Sequence, residues 1–306
     1  MKRPGIFYPK GIKEFGMSKS LVNKNGQFMP AEQASVSIFD RGFLYGDSVY
    51  EVTLTYNKRP FLLEDHLDRL WRSAERISLP ITLSKEEFKN IINEGVERLG
   101  IDRQYIRIII TRGEGEIGLD PNLAGKQNVY LIFKELKEYP KEWYEKGVHM
   151  IIADVLRNPK KAVDPDVKSG NYLNNVLAMI QAKKAKAFDA IMLNHNGHVT
   201  EATTSNIWIV EGDKVITPPV QAGLLQGITR KKLLTIGKKA QITMMESAFT
   251  ADTLKRADEI FLTSSTKEIV PITQVDQTII GNGRPGKMTK RLHALYKEFV
   301  SEQLRE

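Results

Sequence analysis

Apolar and polar positions alternate over residues 20–22, 35–39, 48–56 and 59–63, the period of half-buried strands, and Asn25-Gly26 and Asn57-Lys58 supply turns between them. From residue 63 the period lengthens. Leu67, Leu70 and Ala74 share one face of a helix predicted over 63–77, and Ser84, with Glu87 three residues on, caps a second predicted over 84–99. Strands predicted at 105–111 and 128–133 close this first half. The charged stretch from 134 to 147 holds Pro140 and little core material, which suits a linker. Beyond it the pattern predicts a strand at 148–153 and a helix at 171–186 with Leu173, Leu177, Ile180 and Lys184 on one stripe. A strand at 190–193, a turn at 194–197 and strands at 205–210 and 214–217 follow in hairpin style. Helices are predicted at 229–239 and 250–256, a strand at 259–263, and a C-terminal helix from residue 287. The fold class expected is α+β, with an extension over 1–18, a small domain over 19–133, a linker over 134–147 and a large domain over 148–306.

Composition narrows the classes of function. At 306 residues and 41% hydrophobic, the chain is long enough for two cores. Lys and Arg number 45 against 37 Asp and Glu, a net charge of +8. The densest basic runs (Lys183, Lys184, Lys186; Arg230, Lys231, Lys232; Lys238, Lys239) sit on helical patterns beside apolar residues. They read as solvated helix faces, and no helix-turn-helix, RNA-binding or zinc-ligand signature accompanies them, so no nucleic-acid partner is expected. The chain has no cysteine, which excludes disulfides, thiolate metal sites and a cysteine nucleophile, and its five histidines form no metal-ligand pattern. Residues 1–16 are charged and contain Pro and Gly, unlike a signal peptide, and Met17 offers an alternative start. No stretch approaches the roughly 20 apolar residues that span a bilayer. A soluble cytoplasmic protein without membrane partners is expected. Gly113-Glu114-Gly115-Glu116-Ile117-Gly118 formally matches a dinucleotide-binding loop, but Leu119-Asp120-Pro121 follows where the anion-binding helix should begin, so that reading is rejected.

One constellation carries chemistry. Lys168-Ser169-Gly170-Asn171-Tyr172-Leu173 places a lysine in a turn before a long helix. Val199-Thr200-Glu201-Ala202-Thr203-Thr204-Ser205-Asn206 places a carboxylate among small hydroxylic residues. Gly227-Ile228-Thr229-Arg230 opens a helix, and Thr263-Ser264-Ser265-Thr266-Lys267-Glu268 follows a strand. An amine for an aldehyde, a carboxylate for a ring nitrogen and helix-start N–H groups for a phosphate are what pyridoxal 5'-phosphate requires.

On these blocks, in this order over about residues 19–300, the chain resembles the fold type IV pyridoxal-phosphate enzymes: branched-chain aminotransferases, D-amino-acid aminotransferases and aminodeoxychorismate lyases. The resemblance implies a large domain with a mixed, barrel-like sheet and flanking helices, and a homodimer. It implies Lys168 as the Schiff-base lysine that also moves the α-proton, Glu201 as partner of the pyridine nitrogen and Tyr172 as neighbour of the phenolic oxygen. Arg69, in His66-Leu67-Asp68-Arg69-Leu70, matches the phosphate-binding arginine, joined by Ile228 and Thr229 N–H groups and the Thr229 and Ser265 hydroxyls. Main-chain N–H groups of Thr266 and Lys267 would meet the substrate carboxylate, and Tyr45 and Tyr50 would wall the pocket.

The branch is read from smaller features. Tyr105-Ile106-Arg107 resembles the branched-chain enzymes, in which the matching arginine reaches the distal carboxylate of glutamate; Tyr105 and Arg107 alternate to one strand face. Many of those enzymes read Phe-Glu-Gly-x-Arg where this chain has Tyr50-Glu51-Val52-Thr53-Leu54, wording nearer the D-specific enzymes. The Arg-x-His pair of the D-specific branch is absent after Gly113. The expected reaction is ping-pong transamination between a branched-chain L-amino acid and 2-oxoglutarate, with D-amino-acid transamination second and the lyase reaction third.

Overall fold

The structure, a computed structural model, describes residues 19–305; the extension expected over 1–18, with Met17, lies outside the described residues. Six antiparallel strands, β1 (Ser20–Lys24), β2 (Gln27–Pro30), β3 (Ser48–Tyr56), β4 (Arg59–Pro60), β5 (Gln104–Thr111) and β6 (Asn128–Glu135), form a sheet in the order β2-β1-β6-β5-β3-β4. With them come helices α1 (Arg41–Tyr45), α2 (Leu63–Arg76) and α3 (Lys85–Leu99). Asn25 and Gly26 have φ of 51° and 87°, and Asn57 and Lys58 48° and 60°, the left-handed pairs that tight hairpins need. On β5, Ile106, Ile108 and Ile110 are buried against Leu67 and Leu70 of α2 and Phe88 and Ile92 of α3, which turns Tyr105 and Arg107 to the opposite face.

Ser84 and Glu87 form a reciprocal capping box at the start of α3: the Ser84 hydroxyl accepts from the Glu87 N–H at 3.2 Å, and the Glu87 carboxylate accepts from the Ser84 N–H at 2.7 Å. Ser84→Ala is expected to cost about 1 kcal/mol, read as a lower denaturation midpoint at unchanged slope. The strand predicted over 35–39 does not form. Val36, Ile38 and Phe39 are exposed, and the segment is a loop leading to Asp40, whose carboxylate caps α1 through the Gly42 N–H.

The second half contains β7 (Val148–Ile152), β8 (Asp189–Leu193), β9 (Val199–Ala202), β10 (Asn206–Glu211), β11 (Lys214–Thr217), β12 (Thr243–Glu246), β13 (Glu259–Ser264), β14 (Glu268–Val275) and β15 (Thr278–Ile279). The order is β12-β11-β10-β13-β14-β7-β8-β9, and β9 returns to β10, closing six strands into a barrel. Strand β10 is buried on both faces. Ile207 and Ile209 pack with Ile191, Ile260 and Leu262, while Trp208 and Val210 meet Leu233, Leu292 and Tyr296 of the flanking helices. Those helices are α4 (Glu142–Glu145), α5 (Leu173–Lys184), α6 (Ile228–Lys239), α7 (Ala251–Arg256) and α8 (Lys287–Gln303).

Two sequence expectations change here. The stripe of Leu173, Leu177 and Ile180 on α5 faces outward and is exposed; the buried side is Asn175, Ala178 and Ala182, small enough for the helix to lie close on Ala190 and Met192 of β8. Arg230, read as part of a solvated basic face, is buried and donates to the Pro218 carbonyl and the Glu246 carboxylate, while Lys231 and Lys232 both pair with Asp65. No helix among the described residues is long and apolar enough to cross a membrane, and no group of metal-ligating side chains is found among them.

Candidate active site

A cavity of about 250 Å³ opens between the two sheets. Tyr50 and Val52 of β3, Arg69 of α2 and Tyr105 and Arg107 of β5 line it from the small sheet. Glu201, Thr204, Ser205, Leu225, Ile228, Thr229 and the turn Ser265, Thr266, Lys267 line it from the barrel side, with Lys168 and Tyr172 between. Every residue singled out in the sequence lines this cavity except Tyr45, the last residue of α1. Its hydroxyl accepts from the Gly118 N–H at 3.1 Å, and its ring lies over the Arg41 guanidinium.

Lys168 is fixed through its backbone. Its N–H donates to the Ser73 hydroxyl at 3.1 Å, its carbonyl accepts from the Tyr50 N–H at 2.8 Å, and the Gly170 N–H reaches the Ser48 carbonyl at 2.8 Å. This zips the lysine segment onto the end of β3. A Cβ at Gly170 would stand 2.2 Å from the Ser48 hydroxyl, which explains the glycine two residues after the lysine. The Lys168 ammonium donates to the Tyr172 hydroxyl at 3.3 Å and sits 4.5 Å from the centre of the Tyr50 ring. Burial pushes the Tyr50 phenol far up. Burial also acts on Tyr172, but the Lys168 charge and the Tyr50 hydroxyl outweigh it and hold that phenol below its ordinary range.

Glu201, buried on β9, accepts from Arg157 Nε at 2.9 Å and from the Leu225 N–H at 3.1 Å. Burial pushes its carboxyl above the usual range, and Arg157 and the Leu225 N–H pull the other way. Arg157 also donates to Asn174 and Asn175. The sequence reading missed this arginine, which stands in no recognisable pattern.

At the far end, Glu51 holds Arg69 in a bidentate pair, Nε to Oε1 at 2.6 Å and Nη2 to Oε2 at 2.8 Å, and His66 Nδ1 lies 2.8 Å from the same carboxylate. Against the cost of burial, Arg69 and His66 hold Glu51 far below the carboxylate range; burial keeps His66 below its own. Glu51 and His66 were also missed, although His66 lies one helical turn before Arg69 and so on its face. Arg69 Nη1 donates to the Gln226 carbonyl, just before α6. That helix starts at Gly227 with no side chain capping its first N–H groups, and a Cβ there would stand 2.0 Å from Asn206 Oδ1. The nearby Ser205 hydroxyl is buried without a partner. Uncapped N–H groups, a guanidinium and an unsatisfied hydroxyl suit a phosphate dianion. The donor set therefore fits pyridoxal 5'-phosphate.

On the small-sheet wall of the cavity, Arg107 stacks on Tyr50 at 3.9 Å and has no carboxylate within 4 Å among the described residues. Lys267 Nζ donates to the Thr204 hydroxyl at 3.0 Å, and its main-chain N–H to the Ser264 hydroxyl at 3.2 Å. Leu54, where many branched-chain enzymes have a second arginine, is buried with Phe61 and Tyr296.

Residues 48–275 match the family described as amino-transferase class IV. The chain is 39% identical over 275 residues to a Methanocaldococcus jannaschii protein named "Putative branched-chain-amino-acid aminotransferase", covering 90% of this chain and 94% of that one. It is 36% identical to a Bacillus licheniformis D-alanine aminotransferase, covering 91% and 96%. Among solved structures, the T.th. branched-chain amino acid aminotransferase complexed with N-(5'-phosphopyridoxyl)-L-glutamate superimposes with a TM-score of 0.87 at 31% identity, covering 92% of this chain and 94% of that one.

Proposed function

Since this chain belongs to the amino-transferase class IV family and is an aminotransferase of fold type IV, we propose that it moves an amino group between a branched-chain L-amino acid and 2-oxoglutarate by a ping-pong mechanism, with pyridoxal 5'-phosphate as cofactor. Bound there, the cofactor supplies an aldehyde for the amino group and a ring that draws electrons from the α-carbon. Lys168 holds the aldehyde end and then moves the proton at the α-carbon. Glu201 keeps the ring nitrogen protonated, and Tyr172 donates toward the phenolic oxygen. Arg69, the Ile228 and Thr229 N–H groups and the Thr229 and Ser265 hydroxyls hold the phosphate, while the Thr266 N–H, joined by the Lys267 N–H when it exchanges its Ser264 hydroxyl partner, orients the substrate carboxylate.

Arg107 carries the choice of substrate. An aromatic wall of Tyr50 and Tyr105 suits an apolar side chain, and a guanidinium on the same wall, stacked but free of any carboxylate, suits the distal carboxylate of a diacid. The complex of the T.th. enzyme with a glutamate adduct supports the same diacid. Arg107→Met is expected to weaken kcat/KM for 2-oxoglutarate by about 1.5 to 3 kcal/mol, the value of a hydrogen bond to a charged group, and to spare 4-methyl-2-oxopentanoate. A parallel fall in both substrates contradicts the assignment.

The 36% identity to a D-alanine aminotransferase and the Tyr50-Glu51-Val52 wording favour D-amino-acid transamination as the second reading. Turnover of D-alanine with none of L-leucine would establish it. A homodimer fits the exposed apolar side chains Leu173, Val176, Leu177 and Ile180 on α5 and Ile38, Phe39 and Phe43 on the small domain, and sedimentation at micromolar concentration tests it.

A further inference from the structure

The turn Ser265, Thr266, Lys267 joins β13 to β14, and Ser264 pairs with Glu268 across its base. Glu268 has φ 57°, a left-handed conformation that glycine adopts freely and a side chain with a Cβ resists. Such a residue persists where its surroundings over-determine it, and here they do. One Glu268 carboxylate oxygen accepts from the Tyr56 hydroxyl at 2.8 Å, and the other lies 3.0 Å from His293 Nε2. Tyr144 stacks on His293 with ring centres 5.5 Å apart, and its hydroxyl donates to the Lys267 carbonyl at 3.2 Å. These anchors come from three places: Tyr56 from β3 of the small sheet, His293 from α8 and Tyr144 from α4.

Taking the cavity to be the substrate site proposed above, on which this inference rests, we propose that Glu268 is a positioning residue that fixes the substrate-facing turn by tying it to the small sheet through Tyr56 and to α8 through His293. Glu268 itself does not line the cavity; Ser265, Thr266 and Lys267 do, and the clamp sets where their N–H groups stand relative to the Arg107 wall on the other sheet. Burial would raise the Glu268 carboxyl, but the bonds from His293 and Tyr56 outweigh it and hold the group below the usual carboxylate range, so the clamp is ionised at neutral pH.

Glu268→Gly keeps a φ that glycine adopts freely and removes the carboxylate together with its two methylenes, whereas Glu268→Gln keeps the methylenes and changes only the carboxylate. In the holoenzyme Glu268→Gly is expected to raise KM for both 2-oxoglutarate and 4-methyl-2-oxopentanoate, and Kd for the unreactive acid 4-methylpentanoate, by roughly tenfold, the scale of a lost hydrogen bond to a charged group. Cofactor content stays near that of the unsubstituted protein and the variant stays folded at the assay temperature, because the strain that glycine relieves at this φ offsets part of the stability lost with the two bonds. Tyr56→Phe, which removes one of the two bonds and keeps the ring, is expected to give a smaller rise of the same kind, and Glu268→Gln to recover most of the loss. KM and Kd unchanged in both Glu268→Gly and Tyr56→Phe overturn the proposal. So does a loss of cofactor or of Tm that accounts for the whole effect. Binding of 4-methylpentanoate to the unsubstituted protein is measured first and without turnover: its absence tells against the branched-chain reading, whereas a Kd equal in the variants and the unsubstituted protein tells against the clamp.

Discussion

Lys168→Ala is expected to lower transamination by about 10²- to 10⁴-fold or more, the contribution of a positioned acid–base group, while the protein stays folded. The fold survives because the segment is held by backbone bonds from Tyr50, to Ser73 and to Ser48, none of which uses the lysine side chain. Lys267, the other lysine of the cavity, cannot stand in for it: its ammonium is bound to the Thr204 hydroxyl, whereas Lys168 sits beside Tyr172 and Tyr50. Single-turnover rates with L-leucine, beside circular dichroism of the variant, measure both halves. A folded variant of undiminished rate removes Lys168 from the mechanism.

Glu201→Gln is expected to slow proton transfer by about 10²- to 10³-fold with cofactor still bound, since a neutral amide cannot hold the ring nitrogen protonated. The geometry adds a second consequence. Arg157 is buried against Glu201, and removing one partner of a buried ion pair typically costs about 3 to 5 kcal/mol because the other charge is left uncompensated. The amide still accepts from Arg157, so Glu201→Gln should lose less stability than Glu201→Ala. Adding Arg157→Met to Glu201→Gln should restore stability without restoring rate. Recovery of rate in the double variant would mean that the carboxylate acts only as a structural counter-ion.

What the sequence made legible was local chemistry and periodicity. The capping box at Ser84 and Glu87, the Asn25-Gly26 and Asn57-Lys58 turns and the alternation of Ile106, Ile108 and Ile110 against Tyr105 and Arg107 each depend on residues a few positions apart. The residues that gather around the cavity were legible as blocks because each block forms one wall. What escaped was settled by distant partners. Strand β12 is short, half-exposed and paired in parallel with β11, so its residues carry no clear period. Strand β14 contains Pro271, whose missing N–H argues against an interior strand, yet the barrel pairs Pro271 with Phe261. Arg157 and Glu201 are far apart in the chain and meet only in the fold, and Glu51 reads as one more strand residue until Arg69 and His66 close on it. On α5 the apolar stripe pointed to a core, but the barrel takes the alanine face instead, which leaves the stripe for another surface.

The central claim, a transaminase acting on branched-chain L-amino acids with 2-oxoglutarate, is tested most directly by following the visible absorbance of the bound cofactor through each half-reaction separately. The account predicts that L-leucine or L-glutamate alone discharges the band, that 2-oxoglutarate or 4-methyl-2-oxopentanoate alone restores it, and that D-alanine leaves it unchanged. A band that ignores L-leucine and L-glutamate and responds to D-alanine would contradict it.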